Sequence, residues 1–285
     1  MSSPTLRHNP YTIFEGSRTP PGLYARQKWL SQGETESYKT DFDATVAELI
    51  SIGVRPSNRS ERILETLHRL FGLHLTVRNP NPIIEAALSE LIAGNRVRSQ
   101  KIEMVLMPDR LRGLPFAATR WTYFIVPATL FLLAIFGKAT TLEANQLYAQ
   151  FAADVAESAE FQRNTVAMHN ALRALVVHPD DRFRPAIRSA VSWFAARQTA
   201  RGDWGPKIPF FQAVNALAHL NIPEADAQFD NALIHIINSQ NTDGTWGSAD
   251  QEWQTFLVVH ALRNKGILGS GSKDKAQFDA KAEHT

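Results

Sequence analysis

The sequence predicts an all-α fold, a single (α/α) barrel or toroid of about five to six outer-inner helix pairs. Three observations predict it. A block of residues recurs at a fixed spacing near the carboxyl end, apolar residues recur at helical spacing along most of the chain, and strand-like alternation is nearly absent, with His74 to Val77 as the exception. Helices that alternate between an outer and an inner layer close into a ring once about five to seven pairs are stacked.

The clearest internal repeat consists of four residues that recur in step, each displaced by the same 42 positions (198 to 240). These residues are Gln198, Gly202, Trp204 and Gln212, which return as Gln240, Gly244, Trp246 and Gln254. Each copy starts as an amphipathic helix, breaks at a glycine corner and restarts as a helix that is apolar on most sides. We therefore predict outer helices over Ile187–Phe194 and Phe229–Ile237, and inner helices over Phe210–Leu220 and Trp253–Leu262.

A weaker copy of this unit is predicted upstream. Trp29 and Gln32 precede a Gly33 corner, and an inner helix is then expected from Tyr38 through Ile50. The apolar spacing of the remaining chain predicts three more outer helices and two more inner ones. The outer candidates are Glu61–Leu73, Ile83–Ala93 and Leu142–Ala156, and the inner candidates are Phe116–Phe136 and Phe161–Val176.

The composition of the chain ends predicts three regions. Residues 1–20 are polar and rich in proline, so we expect a flexible arm there. Residues 21–268 are expected to form the toroid domain. Residues 269–285 are small or charged, with little apolar surface to offset the entropy of ordering, so a disordered tail is expected.

Overall composition narrows the classes of partner and chemistry. The net charge is +2 and no dense block of Lys and Arg occurs, so a nucleic acid is not an expected partner. The chain has no cysteine, which excludes disulfides, thiol nucleophiles and thiolate metal sites. A cytoplasmic location is expected, and the sequence sets no oligomeric state.

The segment Trp121–Phe136 is the most apolar in the chain and raises the question of a membrane. It is sixteen residues long and contains Pro127, whereas a bilayer span needs about 20 apolar residues. The favoured interpretation is a buried inner helix. Peripheral contact with one leaflet stays open as an alternative.

The two glycine corners carry a family resemblance. Gln198 to Trp204 and Gln240 to Trp246 both read Gln-x-x-x-Gly-x-Trp, the QW motif of the superfamily of squalene-hopene cyclases, oxidosqualene cyclases and related prenyltransferase-like α/α toroids. The match is specific over Phe183–Leu268 and faint elsewhere. The resemblance implies structural roles for these Gln, Gly and Trp residues, and a cavity lined by the starts of the inner helices.

The acid and metal machinery of that superfamily has no counterpart in this chain. Its class II cyclases protonate substrates with an Asp-x-Asp-Asp run, and the nearest approach here is Asp41-Phe42-Asp43. Asp180-Asp181 does not begin an Asp-Asp-x-x-Asp magnesium site, and the zinc site of the protein prenyltransferases includes a cysteine. We therefore expect no metal and no cofactor.

The residues expected to line the cavity pair an aromatic ring with a polar group at each inner-helix start. Gln212, Gln254, Tyr38 and Asp41 are the candidate catalytic residues. The candidate substrate-binding residues are Arg120, Trp121, Tyr123, Phe161, Gln162, Phe211, Trp253 and His169. The alternative interpretation is that the aromatic-Gln pairs only wedge and cap neighbouring helices.

Three histidines also occupy the same position within their predicted helices. His169, His219 and His260 lie six or seven residues after the Gln of their helix. One of them could titrate in a pocket, but a buried histidine with a neighbouring hydrogen-bond partner is more common. Three histidines without carboxylates at ligand spacing make a poor metal site.

The function expected from these features is cofactor-independent ring closure of a terpenoid or other small lipophilic substrate. The preferred version is pericyclic, such as an intramolecular Diels-Alder reaction, with Gln212, Gln254 or Tyr38 polarising a substrate carbonyl. Two alternatives stay open. One is a cationic cyclase in which Asp41 or Asp43, with a pKa raised by burial, acts as the acid. The other is a non-catalytic toroid that binds lipids or a protein partner.

Overall fold

The computed structural model describes residues 6–51, 58–96 and 106–269, with the side chains of residues 94–96 left out. Within these ranges the chain forms twelve α-helices, three short 3-10 helices and no strand. The α-helices are α1 (Pro20–Lys28), α2 (Glu36–Ile50), α3 (Arg59–Thr76), α4 (Pro82–Arg96), α5 (Thr122–Ile135), α6 (Leu142–Glu157), α7 (Ala159–Arg163), α8 (Thr165–Leu175), α9 (Arg184–Ala195), α10 (Phe210–Ala218), α11 (Pro223–Asn238) and α12 (Gln251–Asn264).

Six of these helices form a closed inner ring. Going round it, α1 packs on α3, α3 on α5, α5 on α8, α8 on α10, α10 on α12, and α12 returns to α1. Five others, α2, α4, α6, α9 and α11, lie outside this ring, each packed against members of it. The predicted all-α toroid is therefore confirmed.

The sixth outer position is filled by the N-terminal segment, residues 6–19. Tyr11 and Phe14 are fully buried, and the backbone of Arg7 and His8 hydrogen bonds to the side chain of Gln240. The expectation of a flexible arm is therefore wrong for residues 6–19, because two aromatic side chains bury there and the arm has backbone partners. Residues 1–5 of the expected arm and residues 270–285 of the expected disordered tail lie outside the described residues.

The structure reverses the predicted layers in the first third of the chain. The α1 helix is inner and α2 is outer, since among the α2 side chains only Tyr38 and Asp41 are buried. The α3 helix, predicted as outer, contributes Leu67, Leu70 and Phe71 to the core as an inner helix. His74 and its neighbours, singled out as strand-like, belong to the last turn of α3 because its apolar face continues through them.

Two further boundaries differ from the prediction. The helical part of Phe116–Phe136 begins only at Thr122, and the segment Phe161–Val176 divides at Asn164 into α7 and α8. Asn164 starts α8 by accepting a hydrogen bond from the Ala167 backbone N–H, which is an N-cap. The α5 helix is buried over most of its surface, and no helix in the described ranges is long and apolar enough to cross a bilayer.

The two QW corners act as clamps between consecutive outer elements. Nε2 of Gln198 donates to the carbonyl oxygens of Gly202 and Gln228, which joins the first corner to α11. Nε2 of Gln240 donates to those of Gly244 and His8, which joins the second corner to the N-terminal segment. Both glutamines therefore have structural roles.

The glycine of the second corner allows this close approach. Gly244 has φ +87°, and a Cβ there would overlap the carbonyl oxygen of Asn9. Gly266, beyond α12, has φ +69°, and no described neighbour lies within 4 Å of where a Cβ would be. A side chain would be strained by the positive φ at either position, but only at position 244 would it also meet the backbone of another segment.

We predict that Gly244→Ala lowers the free energy of unfolding by about 3 kcal/mol or more, because the methyl group displaces the N-terminal segment. Gly266→Ala, the control, should cost only about 1 kcal/mol, the strain of a positive φ. Urea denaturation followed by circular dichroism measures both. Equal losses would show that the corner does not hold the segment.

Candidate functional site

Aromatic side chains from three inner helices and the end of α1 meet inside the ring. We call Trp29, Phe71, Phe131, Trp253 and Phe256 the aromatic column. The ring centroids of Phe71 and Trp253 are 5.6 Å apart, and those of Trp253 and Phe256 are 5.4 Å apart. Because α3 and α12 are not neighbours in the ring, the Phe71–Trp253 contact crosses its interior. The middle of the ring therefore holds packed aromatic side chains, edge-to-face between Phe71 and Trp253 and stacked between Trp253 and Phe256.

A cleft of about 340 Å³ lies above this column, where the inner helices begin. Gln212 at the start of α10, and Trp253 and Gln254 at the start of α12, all line it. Phe116 and Val166 contribute apolar surface, from the loop before α5 and from α8. The structure thus brings Gln212, Trp253 and Gln254 together at one cleft, which we call the amino-end cleft.

Within the described ranges, two buried polar atoms of residues that line the amino-end cleft have no hydrogen-bond partner. They are Nε1 of Trp253, a donor, and Oε1 of Gln254, an acceptor. Gly247 makes room for this glutamine, because a Cβ at that position would overlap its Oε1. A donor and an acceptor on adjacent residues suit a ligand that carries a carbonyl or hydroxyl group.

A second, more polar cavity of about 500 Å³ adjoins the cleft and shares Lys207 and Val166 with it. Arg120 and Tyr123 line this cavity, together with Glu160. Burial and then the neighbouring Glu160 raise the pKa of Tyr123 to about 12, so its hydroxyl stays protonated at neutral pH. The structure places these two predicted residues beside the amino-end cleft but not among its lining residues.

Other predicted binding residues pack within the protein. Trp121 packs on Phe124, and Phe161 packs on Tyr123 and Phe151. Nε2 of Gln162 donates to the carbonyl oxygen of Val155, and Phe211 contacts Phe210. These contacts match the alternative interpretation of the aromatic-Gln pairs at α7, whereas Trp253-Gln254 reaches the cleft.

The other predicted catalytic residues, Tyr38 and Asp41, lie on the outer helix α2. Asp41 forms ion pairs with Arg26 at 2.7 Å and with Arg18 at 2.8 Å. The hydrogen bond from Arg26, followed by the charges of both arginines, holds the pKa of Asp41 below its usual range despite its burial. The expectation of an acid with a raised pKa is therefore wrong for Asp41. The arginines stabilise its ionised form.

A group of basic residues lies at the opposite end of the inner helices, and sequence reasoning noted His219 and His260 but missed the arginines beside them. Arg173 lies in the last turn of α8, His74 in the last turn of α3, and Arg78 follows α3. His219 caps α10 and its ring centroid lies 5.2 Å from that of His260 on α12. A charged residue on the otherwise apolar face of an inner helix was the available signal, and Arg173 fits that description.

His169 lies between the two ends and is fully buried. Its Nδ1 is 3.2 Å from Oδ1 of Asn170, while Nε2 has no partner. Within the described ranges, no group of three or more His, Asp or Glu residues is arranged to hold a metal ion.

The fold is similar to that of a solved structure, the crystal structure of a protein from Actinoplanes. The two share 14% identity over 88% of this chain and 89% of that chain, with a TM-score of 0.50. This likeness concerns the fold alone. No protein-family model and no curated protein matches the sequence.

We predict that His169 makes the protein less stable in mild acid. Burial lowers its pKa to about 4, so the unfolded chain, with a histidine pKa of about 6.5, binds the proton more tightly. The stabilising effect of the neutral ring is complete above about pH 6.5 and declines as the pH falls toward 4.

Between about pH 7.5 and pH 5, His169 should account for about 2 kcal/mol of lost unfolding free energy. Urea denaturation of the wild type and His169→Gln at both pH values measures this share, because the other histidines contribute equally to both proteins. An unchanged pH dependence in the variant would contradict the assignment.

Proposed function

We propose that this protein binds a small lipophilic molecule in the amino-end cleft and promotes its ring closure without a metal or cofactor. The observation that carries the proposal is the convergence of Gln212, Trp253 and Gln254 on one cleft above the aromatic column. Apolar walls with a few fixed polar groups are typical of small-molecule sites.

The unpartnered atoms supply the binding specificity. A buried donor or acceptor without a partner costs about 1 to 3 kcal/mol, and a ligand group that satisfies it recovers this free energy. Nε1 of Trp253 can donate to a ligand oxygen, and Oε1 of Gln254 can accept from a ligand hydroxyl. The stacked rings of Trp253 and Phe256 provide a flat apolar surface below.

These residues can promote ring closure in two ways. The walls hold a flexible chain folded with its reacting carbons together, and such positioning can contribute roughly 7 to 11 kcal/mol. In an intramolecular Diels-Alder reaction, a hydrogen bond from the Gln212 amide or from Nε1 of Trp253 to a conjugated carbonyl makes the alkene a better acceptor. All atoms of the substrate stay in the product, so no proton or electron has to be supplied.

The cationic alternative has less support. Asp41 is bound to two arginines, and Asp43 is exposed on the outer helix α2. Two carboxylates line the amino-end cleft, those of Asp109 and Asp250. Asp109 forms an ion pair with Arg112, and Asp250 accepts a hydrogen bond from the Gly113 backbone. The pericyclic route is therefore the one that we propose.

A lipid-binding toroid without catalysis is the second candidate. The observation that favours it is the aromatic column, which fills the interior that a larger enzymatic cavity would occupy. Binding is common to both candidates, and product formation separates them.

For binding, we predict that Trp253→Ala and Gln254→Ala each weaken the affinity for the neutral alcohol dodecanol by about tenfold. Each variant removes apolar contact or a hydrogen-bond partner from the cleft. Isothermal titration calorimetry measures the affinity, and Gln150→Ala, an exposed glutamine on α6, is the control. Unchanged affinity in both cleft variants would place the ligand elsewhere.

For turnover, we predict that the protein converts a methyl dodecatrienoate, a linear triene ester, into a bicyclic isomer of the same mass. Gas chromatography with mass spectrometry detects the isomer by its shifted retention. Gln212→Ala should slow its formation about tenfold or more without loss of thermal stability, whereas Gln150→Ala should not. Binding without any product would favour the lipid-binding candidate and end the enzymatic one.

A further inference from the structure

The carboxyl ends of the inner helices surround a group of basic side chains that the proposed reaction does not use. We call Arg173, Arg78, His74, His219 and His260 the basic recess. They come from the ends of four inner helices, α8, α3, α10 and α12. In the described ranges, neither Arg173 nor Arg78 forms an ion pair with a carboxylate.

Arg173 is the most buried charge of the basic recess. Arg173 is 5% exposed, and its Nε and Nη1 are buried without a hydrogen-bond partner among the described residues. Its guanidinium lies 5.3 Å from the centre of the Phe131 ring, at the end of the aromatic column. An isolated buried cation is strongly destabilising, so proteins normally pair it with an anion.

Arg78 is held in an unfavourable backbone conformation. Its φ is +65°, in the left-handed region, at the position after α3 where glycine is the usual residue. The guanidinium lies 4.5 Å from the centre of the Tyr24 ring, and its Nη2 is buried with no hydrogen-bond partner in the described part of the chain. Backbone strain of this kind is concentrated at functional sites. The strain here brings a second unpaired guanidinium to the recess.

The basic recess is open to solvent at His219, which is exposed, whereas His74 and His260 are half-buried. Burial lowers the pKa of His74 and of His260 to about 4, and the charges of Arg173 and Arg78 add to the shift in both, because the two arginines lie near the same two rings. Nδ2 of Asn264 lies within 3.3 Å of Nδ1 of His219 and within 3.5 Å of Nδ1 of His260.

We propose that the basic recess binds the carboxylate or phosphate of an amphiphilic molecule, with the apolar part of that molecule against the aromatic column. This inference rests on the proposed function for the apolar part, and it names the substrate class as a lipophilic acid or phosphate ester. Two guanidinium groups match the oxygens of such an anion, and the neutral histidines supply further N–H donors.

The test compares dodecanoate, dodecyl phosphate and dodecanol, which share a chain and differ in the head group, by calorimetry and thermal unfolding. At least one anionic amphiphile should bind about tenfold or more tightly than the alcohol and raise the melting temperature. Tighter binding of dodecanoate would identify the ligand's head group as a carboxylate, and tighter binding of dodecyl phosphate would identify it as a phosphate. Equal affinity for all three overturns the proposal, as does stabilisation by inorganic phosphate that equals that by dodecyl phosphate.

Two variants assign the effect to the recess. Arg173→Met and Arg78→Gly should each abolish the preference for the anion. Without ligand, both should be at least as stable as the wild type, because the first removes an unpaired buried charge and the second relieves the positive φ. Arg188→Met, an exposed arginine on α9, is the control. Loss of ligand-free stability in both recess variants would assign the arginines a structural role and overturn the inference.

This design separates the two proposals. If dodecanol binds and depends on Trp253 while the anion preference is absent or survives both recess variants, the inference fails and the proposed function stands. If no amphiphile binds at all, both fail.

Discussion

The structure depends on closure of the inner ring, because the outer helices cover one side of each inner helix and its remaining apolar surface is covered by its two ring neighbours and the interior. Closure needs the last inner helix, α12, to meet the first, α1, which is separated from it by almost the whole chain. Gln240 fixes this junction by hydrogen bonding to the backbone of Arg7 and His8 with both atoms of its amide. The second QW corner thus binds the start of the chain as the first corner binds α11.

Closure also gives the interior two unlike ends. The starts of α8, α10 and α12 and the loop before α5 line the amino-end cleft with its glutamines. The carboxyl ends of α3, α8, α10 and α12 carry the residues of the basic recess. The partial negative charge of helix carboxyl ends favours cations nearby, which offsets part of the cost of burying Arg173 when the site is empty. It does not satisfy the N–H groups of the guanidinium, so an anion still gains by binding there.

The sequence was informative wherever a residue has a local role. The corners at Gln198 and Gln240, the layers of α9 to α12 and the positions of Trp253 and Gln254 follow from motif and periodicity. The layers of α1, α2 and α3 could not be predicted in this way, because the apolar stripe of an inner helix resembles that of a well-packed outer helix. Asp41 looked like an acid because nothing local shows that Arg26, fifteen residues earlier, turns back to bind it.

The basic recess could not be read from the sequence for a related reason. A single arginine near the end of a helix normally lies at the surface, where it interacts with the carboxyl-end dipole. Only the closed ring turns Arg173 inward, next to residues from three other helices. Helix α8 extends from one end of the interior to the other. Val166 at the amino-end cleft and Arg173 at the recess are seven residues apart, or roughly 10 Å at 1.5 Å per residue. The aromatic column lies between these two ends, and the ring of Phe131 is 5.3 Å from the guanidinium of Arg173. A chain whose head group is held at Arg173 therefore meets the column first, and it reaches Gln212 and Gln254 only when rings of the column move out of the interior that they fill.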